Sequence, residues 1–399
     1  MSATVHSPFE ATPTAEIASH VSTLRSTFRT NRTKPFPYRL NQLRKLYWSI
    51  CDNEELIKDA LYKDMRKCAY EAELGEIMWM KNAIIDLIDN AERYLQNEKV
   101  VDMPIHTILM GHHIRHTPLG VVLVIGAFNF PIMLNLSSLA SALAAGNCVI
   151  VKPSESAPHS AMAIKKVMDD ALDPECYKCV VGEVAQTQAL LDTKFDKIAF
   201  IGGTKVGTII AKKAAETLTP VLLELGGRNP AFITRNADVQ IAARRLMFHK
   251  TLNAGQMCFS HNYILADRAI LSELIAALNK QAGIMFPNGT KETADYARII
   301  NQREFRRMKA MVDNSKGKIV LGGKMDESEL FIEPTVVLVD DLEDSMMAEE
   351  SFGPVWSIMA VDSLDEAIDI ANKVDPTPLS LFTFGTDAEN EKGKSLNEA

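Results

Sequence analysis

A long stretch without charged side chains limits what this chain can fold into. From His116 to Val151 the sequence contains no Asp, Glu, Lys or Arg. It still offers no unbroken apolar run of the roughly 20 residues that a membrane helix needs. The residues that interrupt it include Asn129, Pro131, Asn135 and Gly146. The apolar run over 119–127 is typical of a buried parallel strand. The stretch therefore predicts a buried strand–helix–strand unit, with its helix over 132–145 and its second strand over 148–152.

Strand and helix patterns continue to alternate along the rest of the chain. Further strands are predicted over 178–181, 197–201 and 221–225, and after Gly226-Gly227 over 231–233, 263–266, 318–321, 331–339 and 356–360. Such alternation implies doubly wound parallel sheets. Residues 14–99 are predicted to be helical instead, because apolar residues such as Leu40, Leu43 and Tyr47 recur at helical spacing.

These patterns predict an α/β protein of two doubly wound domains, which agrees with its length of 399 residues. The first domain is expected over 1–105 and 118–230, and the second over 231–399. Residues 106–117 are predicted to form a protruding β hairpin arm between the two parts of the first domain. The four histidines of the arm (His106, His112, His113 and His116) fit the alternation of a solvated strand pair better than a metal site.

The composition excludes several classes of protein. A net charge of −8 and a pI of about 5.7 provide no basic surface for nucleic acid. Cys176 and Cys179 have metal-ligand spacing, but no second pair of that kind follows, so we expect no metal site. Scattered thiols favour a reducing compartment, and the first 30 residues carry no signal-peptide core. We therefore expect a cytoplasmic protein.

Cys258 is the first candidate for chemistry. It follows a predicted helix and a Gly-Gln turn within Asn253-Ala-Gly-Gln-Met-Cys-Phe-Ser, at an element end where a side chain can face a cleft. A thiolate in such a place can act as a covalent nucleophile. The alternative is a plain core residue, the usual state of a cysteine between Met and Phe.

Glu224 and Asn129 also lie at or near the ends of apolar strands. Burial of Glu224 within 221–225 would raise its pKa and make it a general base near neutral pH; the alternative is a carboxylate that faces solvent. Asn129 lies in the turn after 119–127, at the sheet edge where doubly wound proteins bind ligands. Its amide N–H could stabilise an oxyanion, or it could be an ordinary turn residue.

Two further loops are candidates for holding phosphate or sugar groups. Gly202, Gly203 and Gly207 belong to a strand-to-helix turn, whose backbone N–H groups and helix dipole can hold a phosphate. Lys152 and Glu155 follow another strand and could bond ribose hydroxyls. Surface residues are the alternative for this second pair.

Together these motifs resemble those of the NAD(P)-dependent aldehyde dehydrogenases over nearly the whole chain. The Glu-Leu-Gly-Gly box (224–227) and the Gly-Gln-x-Cys box (255–258) are spaced as in that family. Four more motifs follow the family order: Asn-Phe-Pro (129–131), Lys-Pro-Ser-Glu (152–155), Phe-x-Gly-x-Thr-x-Val-Gly (200–207) and Glu-Glu-Ser-Phe-Gly-Pro (349–354). The short N-terminus is similar to that of the class 3 and fatty-aldehyde enzymes, and the match is closest to fungal members of that class.

The resemblance implies a role for each motif. Cys258 would be the nucleophile that forms a thiohemiacetal and then a thioester. Asn129 and the Cys258 backbone N–H would form the oxyanion hole, and Glu224 would activate the deacylating water. The cofactor would be held by Lys152 and Glu155 at the adenosine ribose, Gly202, Gly203 and Gly207 at the pyrophosphate, Glu350 at the nicotinamide ribose and Phe352 beside the nicotinamide. The first domain would bind NAD(P)+, the second would be catalytic, and the arm would mediate oligomerisation.

The function implied is the oxidation of an apolar aldehyde, medium- or long-chain or of the apocarotenoid type, to its carboxylic acid. NAD+ is the expected cofactor, with NADP+ possible. A catalytically impaired truncated homologue and a CoA-acylating aldehyde dehydrogenase are the alternatives, although Glu224 favours hydrolysis because transfer to CoA needs no base for water.

Family members usually continue for several dozen residues beyond the point where this chain stops. We therefore expect the C-terminal end of the catalytic domain to be incomplete, and the last residues (391–399) to be a solvated tail. In a longer form the resemblance implies a homodimer, and membrane association only where the tail supplies an anchor. The expected partner is a small aldehyde and not a nucleic acid.

Overall fold

The computed structural model describes residues 8–394 and divides the chain into two units. The first comprises the chain up to Asp64 together with Ala72–Glu224, and the second comprises Met65–Glu71 and the chain from Leu225 onward. The division after Glu224 lies six residues before the domain boundary predicted at 230/231. The membership of Met65–Glu71 in the second unit was not predicted, because its helical pattern does not differ from that of its neighbours.

Amphipathic helices make up the N-terminal part of the first unit. They are α1 (Thr14–Arg29), α2 (Phe36–Asp52), α3 (Glu54–Met65) and, beyond the short α4 (Ala69–Ala72), α5 (Met78–Tyr94), with a π-helical turn at Glu73–Ile77 before α5. All of α4 except Ala72 lies in the segment Met65–Glu71 of the second unit. In α2, Leu43, Leu46 and Ile50 recur every three or four residues and are fully buried. The helical prediction for 14–99 is confirmed for most of its length.

The arm after these helices differs from the predicted hairpin. Strand β1 (Glu98–Lys99) pairs antiparallel with β2 (His113–Ile114), and a 3₁₀ turn at Ile108–Met110 lies between them. The prediction of a hairpin contained in 106–117 is therefore wrong, because one of the paired strands precedes residue 106. Gly111, at φ +66°, adopts the left-handed conformation that directs the chain back into β2.

A five-stranded sheet forms the core of the first unit. Its remaining elements are β3 (Val121–Ile125), α6 (Pro131–Ala144), β4 (Cys148–Lys152), α7 (Pro158–Ala171), β5 (Tyr177–Cys179), α8 (Val184–Leu191), β6 (Lys197–Gly202), α9 (Thr204–Ala215) and β7 (Val221–Leu225). The strand order is β5-β4-β3-β6-β7, and β3 lies parallel to both of its neighbours. The uncharged stretch therefore folds as predicted, as a buried β3–α6–β4 unit.

The N-terminus of α6 is held by a buried carboxylate from the helical region. Glu76, in the π-helical turn, is fully buried and accepts hydrogen bonds from the backbone N–H groups of Ile132 (2.9 Å) and Met133 (3.1 Å). These donors have no partner within the helix, and the helix dipole favours a negative charge at this end. Pro131 occupies the first helical position, where its missing N–H costs nothing.

The second unit contains a six-stranded sheet with helices around it. Its elements are β8 (Asn229–Ile233), α10 (Val239–Thr251), β9 (His261–Asp267), α11 (Leu271–Met285), α12 (Gln302–Asp313), β10 (Lys318–Leu321), β11 (Met325–Asp326), β12 (Phe331–Ile332), β13 (Thr335–Leu338), α13 (Ser345–Ala348), β14 (Val355–Val361), α14 (Leu364–Val374), β15 (Phe382–Phe384) and α15 (Asp387–Gly393). The order is β10-β13-β14-β9-β8-β15. Among the described residues of this sheet, only β10 and β13 pair antiparallel. Strands β11 and β12 form a separate antiparallel pair.

Several details of the second unit differ from the sequence prediction, among them the unpredicted β11 and α13. The strand expected over 331–339 is two strands, because Pro334 lacks the N–H that a continuous ladder would need. Strand β15 was missed although it pairs with β8. Helix α15 includes residues 391–393 of the predicted solvated tail, whose residues 395–399 lie outside the described part of the chain.

The predicted α/β fold of two parallel or mostly parallel sheets is confirmed. No helix among residues 8–394 is both long and apolar enough to cross a membrane.

Candidate active site

Cys258 lies in a tight connection between α10 and β9. After α10 the chain passes through a 3₁₀ turn (Leu252–Gly255) in which Asn253 has φ +52° and Ala254 has φ +49°. Gly255 follows at φ +70°. Left-handed backbone is unfavourable for residues with a side chain, so other contacts must hold this turn. Cys258 itself is half-buried.

Gln256 holds the turn from within. Its fully buried side chain donates to the backbone oxygens of Asn253 (3.1 Å) and Arg298 (3.0 Å), and its amide oxygen accepts from the Ile300 N–H (3.0 Å). Asn253 in turn donates from Nδ2 to the Gln256 carbonyl oxygen (3.1 Å). The Gly-Gln pair before the thiol therefore acts as a structural brace.

Asn229, at the start of β8, holds the backbone of Cys258 from the other side. Its Nδ2 donates to the carbonyl oxygens of Cys258 (2.8 Å) and Ser260 (2.9 Å), and its Oδ1 accepts from the Ser380 N–H (2.9 Å). Asn229 is fully buried. This buried amide fixes the direction of the peptide that follows the thiol.

The loop that carries Glu350 and Phe352 contacts the same turn. A Cβ atom added to Gly255 would meet the carbonyl oxygen of Gly353, so only glycine permits this close approach. Phe352 adopts a left-handed conformation with φ +43°. The structure thus brings the Cys258 turn together with two of the residues predicted to hold the nicotinamide end of the cofactor.

The Glu350 carboxylate lies against the backbone of Gly226, where a Cβ atom would meet its oxygens. Burial raises its pKa to about 7, although the charges of Lys250 and Arg307 and a hydrogen bond from the Gly227 N–H favour the ionised form. The two glycines of the Glu-Leu-Gly-Gly box therefore contact Glu350 in different ways. Gly226 leaves room for its carboxylate, and the Gly227 N–H donates a hydrogen bond to it.

Lys250 is a buried cation that sequence reasoning missed. Its ammonium donates to the His261 carbonyl oxygen (2.7 Å) and to Ser351 Oγ (3.2 Å), and the residue is 1% exposed. Burial lowers its pKa to about 7, although the Glu350 charge opposes the shift. The sequence did contain a sign that Lys250 is buried. It follows the buried Ala243 and Met247 of α10 at helical spacing, and so it lies on the apolar face of the helix.

The predicted oxyanion residue Asn129 and two predicted cofactor residues of the first unit share one edge of its sheet. Asn129 follows β3, Lys152 ends β4 and Gly202 ends β6. Because β3, β4 and β6 are parallel neighbours, these three carboxyl ends lie side by side. Asn129 is 1% exposed.

Lys152 and Glu155 form an ion pair at this edge. The Lys152 ammonium donates to Glu155 Oε2 at 2.7 Å; the lysine is buried and the glutamate is exposed. The pair therefore presents a carboxylate to an approaching ligand, with its buried cation held beneath.

The glycine-rich turn opens directly onto a helix N-terminus. Gly203 precedes α9, and a Cβ atom placed on it would have nothing within 4 Å. Gly202 packs against the Phe200 ring so closely that a Cβ atom would clash, and Gly207 is buried within α9. The backbone N–H groups of Thr204–Val206 are those that a phosphate would approach.

Glu224 lies in β7 as the last residue of the first unit. The residue is half-buried. The sequence had left two alternatives open, a buried carboxylate and one that faces solvent, and the observed burial lies between them. Within the described part of the chain, no three His, Cys, Asp or Glu side chains are grouped so that they could hold a metal ion.

Comparison with known proteins identifies the family. Residues 2–389 match the aldehyde dehydrogenase family. The chain is 58% identical over 385 residues to the beta-apo-4'-carotenal oxygenase of Gibberella fujikuroi, covering 96% of this chain and 71% of that protein. It is 37% identical to aldehyde dehydrogenase family 3 member B1 of Bos taurus, covering 93% of this chain and 79% of that one. The chain therefore belongs to the aldehyde dehydrogenase family, and it is an oxidoreductase related to class 3 members.

Solved structures agree with this assignment. The substrate-bound state of Staphylococcus aureus AldH superimposes with a TM-score of 0.91 at 33% identity, covering 95% of this chain and 82% of that one. A glyceraldehyde-3-phosphate dehydrogenase from Methanocaldococcus jannaschii, complexed with NADP, gives a TM-score of 0.84 at 25% identity, covering 97% and 84%. The resemblance inferred from the sequence motifs and the fold it implied are confirmed.

Proposed function

We propose that this enzyme oxidises a long apolar aldehyde of the apocarotenoid type to its carboxylic acid with NAD+. The observation that carries the proposal is the braced turn of Cys258, which packs against the loop of Glu350 and Phe352. The relative from Gibberella fujikuroi is named for a carotenal substrate, which supports the choice of a long apolar aldehyde.

In the proposed reaction the Cys258 thiolate attacks the aldehyde carbon and forms a thiohemiacetal. The carbonyl oxygen gains a negative charge, which the Asn129 amide and the Cys258 backbone N–H stabilise. A nicotinamide cofactor bound by the residues named below would supply the hydride acceptor. Loss of a hydride from the adduct would leave a thioester on Cys258. Glu224 takes a proton from water, the resulting hydroxide attacks the thioester carbon, and the C–S bond breaks to release the carboxylate and the thiol.

The residues at the sheet edge of the first unit fit a dinucleotide. In the proposal, the exposed Glu155 carboxylate accepts hydrogen bonds from the adenosine ribose and the Lys152 ammonium lies beneath it. The turn at Gly202, Gly203 and Gly207 receives the pyrophosphate. In the second unit Glu350 would accept from the nicotinamide ribose, and Phe352 would pack beside the nicotinamide.

Glu155 is the reason to expect a preference for NAD+. Its carboxylate would repel the 2′-phosphate of NADP+, and Lys152 cannot fully offset this because its charge is already paired with Glu155. Glu155→Ala should therefore lower the KM for NADP+ relative to that for NAD+. A wild-type enzyme that strongly prefers NADP+ would contradict the ribose assignment.

An aldehyde panel tests the proposed function directly. NADH formation should be measured by absorbance with an apocarotenoid aldehyde, decanal and propanal, with Cys258→Ala as the inactive control. We expect the highest kcat/KM for the long apolar aldehydes. Turnover that requires added CoA would instead support the acylating alternative, and an enzyme that oxidises none of the panel would support the catalytically impaired one.

A further inference from the structure

The short segment Met65–Glu71 belongs to the second unit although it lies between helices of the first. Its two ends contact different parts of the region around the Cys258 turn. The Met65 carbonyl oxygen accepts from the Arg298 N–H at 2.8 Å, and Arg298 is also the residue to which Gln256 donates. The other end of the segment reaches the turn itself.

Glu71 is the contact at that end. Its carboxylate accepts a hydrogen bond from the Asn253 N–H, with Oε2 at 3.1 Å and Oε1 at 3.3 Å from the nitrogen. Glu71 is buried, and burial raises its pKa to about 7. The neighbouring charge of Lys67 lowers this pKa and that of Asp295 raises it.

Asn253 is the residue at which the backbone leaves α10 and becomes left-handed. Gln256 braces the far side of the turn through its side-chain hydrogen bonds. Glu71 supplies the acceptor for the first amide of the turn. The turn that presents Cys258 is therefore held at both of its ends by buried side chains.

We propose that Glu71 is a positioning residue, whose carboxylate holds the left-handed turn Asn253–Gly255 and through it the Cys258 thiol. This inference rests on the proposed function in one respect, that Cys258 is the nucleophile. Loss of the carboxylate leaves Asn253 without this acceptor and lets the turn relax toward ordinary backbone. The thiol then moves relative to the aldehyde, and a misplacement of about 1 Å costs on the order of 10²-fold in rate.

Two variants separate positioning from mere support of the fold. Glu71→Gln keeps an oxygen acceptor of nearly the same reach, whereas Glu71→Ala removes it. Asp267→Asn is the control for changing a buried carboxylate elsewhere. Asp267 lies at the far end of β9 and accepts from the Ala269 N–H (3.0 Å) and from Arg235 Nε (2.9 Å). All three should be compared with the wild-type full chain.

Hydrogen–deuterium exchange of the peptide that contains Asn253 measures the held amide without reference to activity. We expect Glu71→Ala to speed exchange at the turn by roughly tenfold, the effect of losing one hydrogen bond. Glu71→Gln should remain within about threefold of the wild type on the same basis. Asp267→Asn should leave exchange of this peptide unchanged.

Steady-state kinetics then test whether the held turn positions the thiol. Glu71→Ala should lower kcat by about 10- to 100-fold with the KM for NAD+ unchanged, and Glu71→Gln should restore most of kcat. If Glu71→Ala speeds exchange without lowering kcat, or if Glu71→Gln loses as much kcat as Glu71→Ala, the positioning role is wrong. Should Glu71→Ala fail to fold, Glu71→Asp, whose carboxylate is one methylene shorter, replaces it with the same expectations. An inactive wild type would overturn the proposed function, while the exchange data would still show whether Glu71 holds the turn.

Discussion

Burial shifts the pKa values of two oppositely charged groups, Lys250 and Glu350, toward the same value. Burial disfavours the charged form of each, so that the pKa of the lysine falls and that of the glutamate rises, both to about 7. Each charge partly offsets the shift of the other. A residue proposed to bind the nicotinamide ribose is therefore poised to change its protonation state near neutral pH.

This arrangement predicts a pH dependence of cofactor binding. Glu350 accepts hydrogen bonds best when ionised, so NAD+ affinity should fall as the pH decreases through about 7. Lys250→Met removes a charge that lowers the Glu350 pKa, so the midpoint should move to higher pH. Titration of NAD+ binding by calorimetry between pH 5.5 and 9, a window that brackets the Glu350 pKa of about 7, checks this.

Glu350→Gln is the control for that experiment, since an amide does not titrate. It should bind NAD+ more weakly with little change across the same pH range. A wild-type affinity that is flat from pH 5.5 to 9, on either side of about 7, would show that Glu350 does not contact the cofactor.

A second prediction at this scale divides the half-reactions between Cys258 and Glu224. Cys258→Ser should abolish turnover, because a hydroxyl is a far weaker nucleophile than a thiolate. Glu224→Gln keeps size and hydrogen bonding but cannot take a proton from water. It should slow thioester hydrolysis by about 10²–10⁴-fold and give a burst of about one NADH per active site before slow turnover.

Stopped-flow absorbance distinguishes the possible outcomes for Glu224→Gln. Absence of a burst would place Glu224 in the activation of the thiol, and normal steady-state turnover would remove it from the chemistry.

At the scale of the element, the turn between α10 and β9 depends on a single glycine. Gly255→Ala should be destabilising, because its φ of +70° and its contact with the Gly353 carbonyl oxygen leave no room for a Cβ atom. Backbone strain of this kind costs about 1–3 kcal/mol. The displaced thiol should also lower kcat, and thermal melts with steady-state kinetics check both effects.

Gly283→Ala provides the matched control for the Gly255 variant. Gly283 lies in α11 with nothing within 4 Å of an added Cβ atom. The same substitution there should stabilise by about 0.4–1 kcal/mol and leave kcat unchanged. If the two variants behave alike, Gly255 does not require its special conformation.

The contrast between β3 and β15 explains how far the sequence predicted the elements. Strand β3 is part of a continuous apolar run, and its type followed from that pattern alone. Strand β15 has three half-buried residues and is defined by its pairing with β8, about 150 positions away along the chain. Local patterns carry no information about such a pairing.

The residues of the candidate site also fall into two groups, those that the sequence indicated and those that it did not. Cys258 and the loops proposed to hold the cofactor could be singled out because their motifs are contiguous in sequence. Glu71 and Lys250 were missed because their importance lies in partners that only the fold supplies; Glu71 and Asn253 are 182 positions apart. Residues that brace a site are therefore harder to predict than residues that perform its chemistry.

At the scale of the whole molecule, the exposed arm predicts self-association. Between β1 and β2 several large apolar side chains face solvent, among them Val101, Ile105, Leu109 and Met110. Exposed apolar surface of this kind marks an interaction site. We expect this chain to form only a weak, concentration-dependent dimer in light scattering, and Leu109→Glu combined with Met110→Glu should shift it to the monomer.

Ile284→Glu controls for the loss of an exposed apolar side chain elsewhere, since Ile284 is exposed on α11. It should leave the dimer intact. A wild type that stays monomeric at high concentration, or an equal effect of the control, would show that the arm is not the contact.

The membership of Met65–Glu71 in the second unit has a consequence for how the protein is made. The segment leaves the ribosome 182 residues before Asn253, its hydrogen-bonding partner through Glu71. At about 5–20 residues per second this separation corresponds to roughly 10–35 seconds of translation. During that time Lys67 and Glu71, both buried in the finished protein, exist without most of the unit to which they belong. The turn Asn253–Gly255 therefore depends on an acceptor that is synthesised much earlier than the turn itself, and any fragment that begins at Leu225 lacks this acceptor.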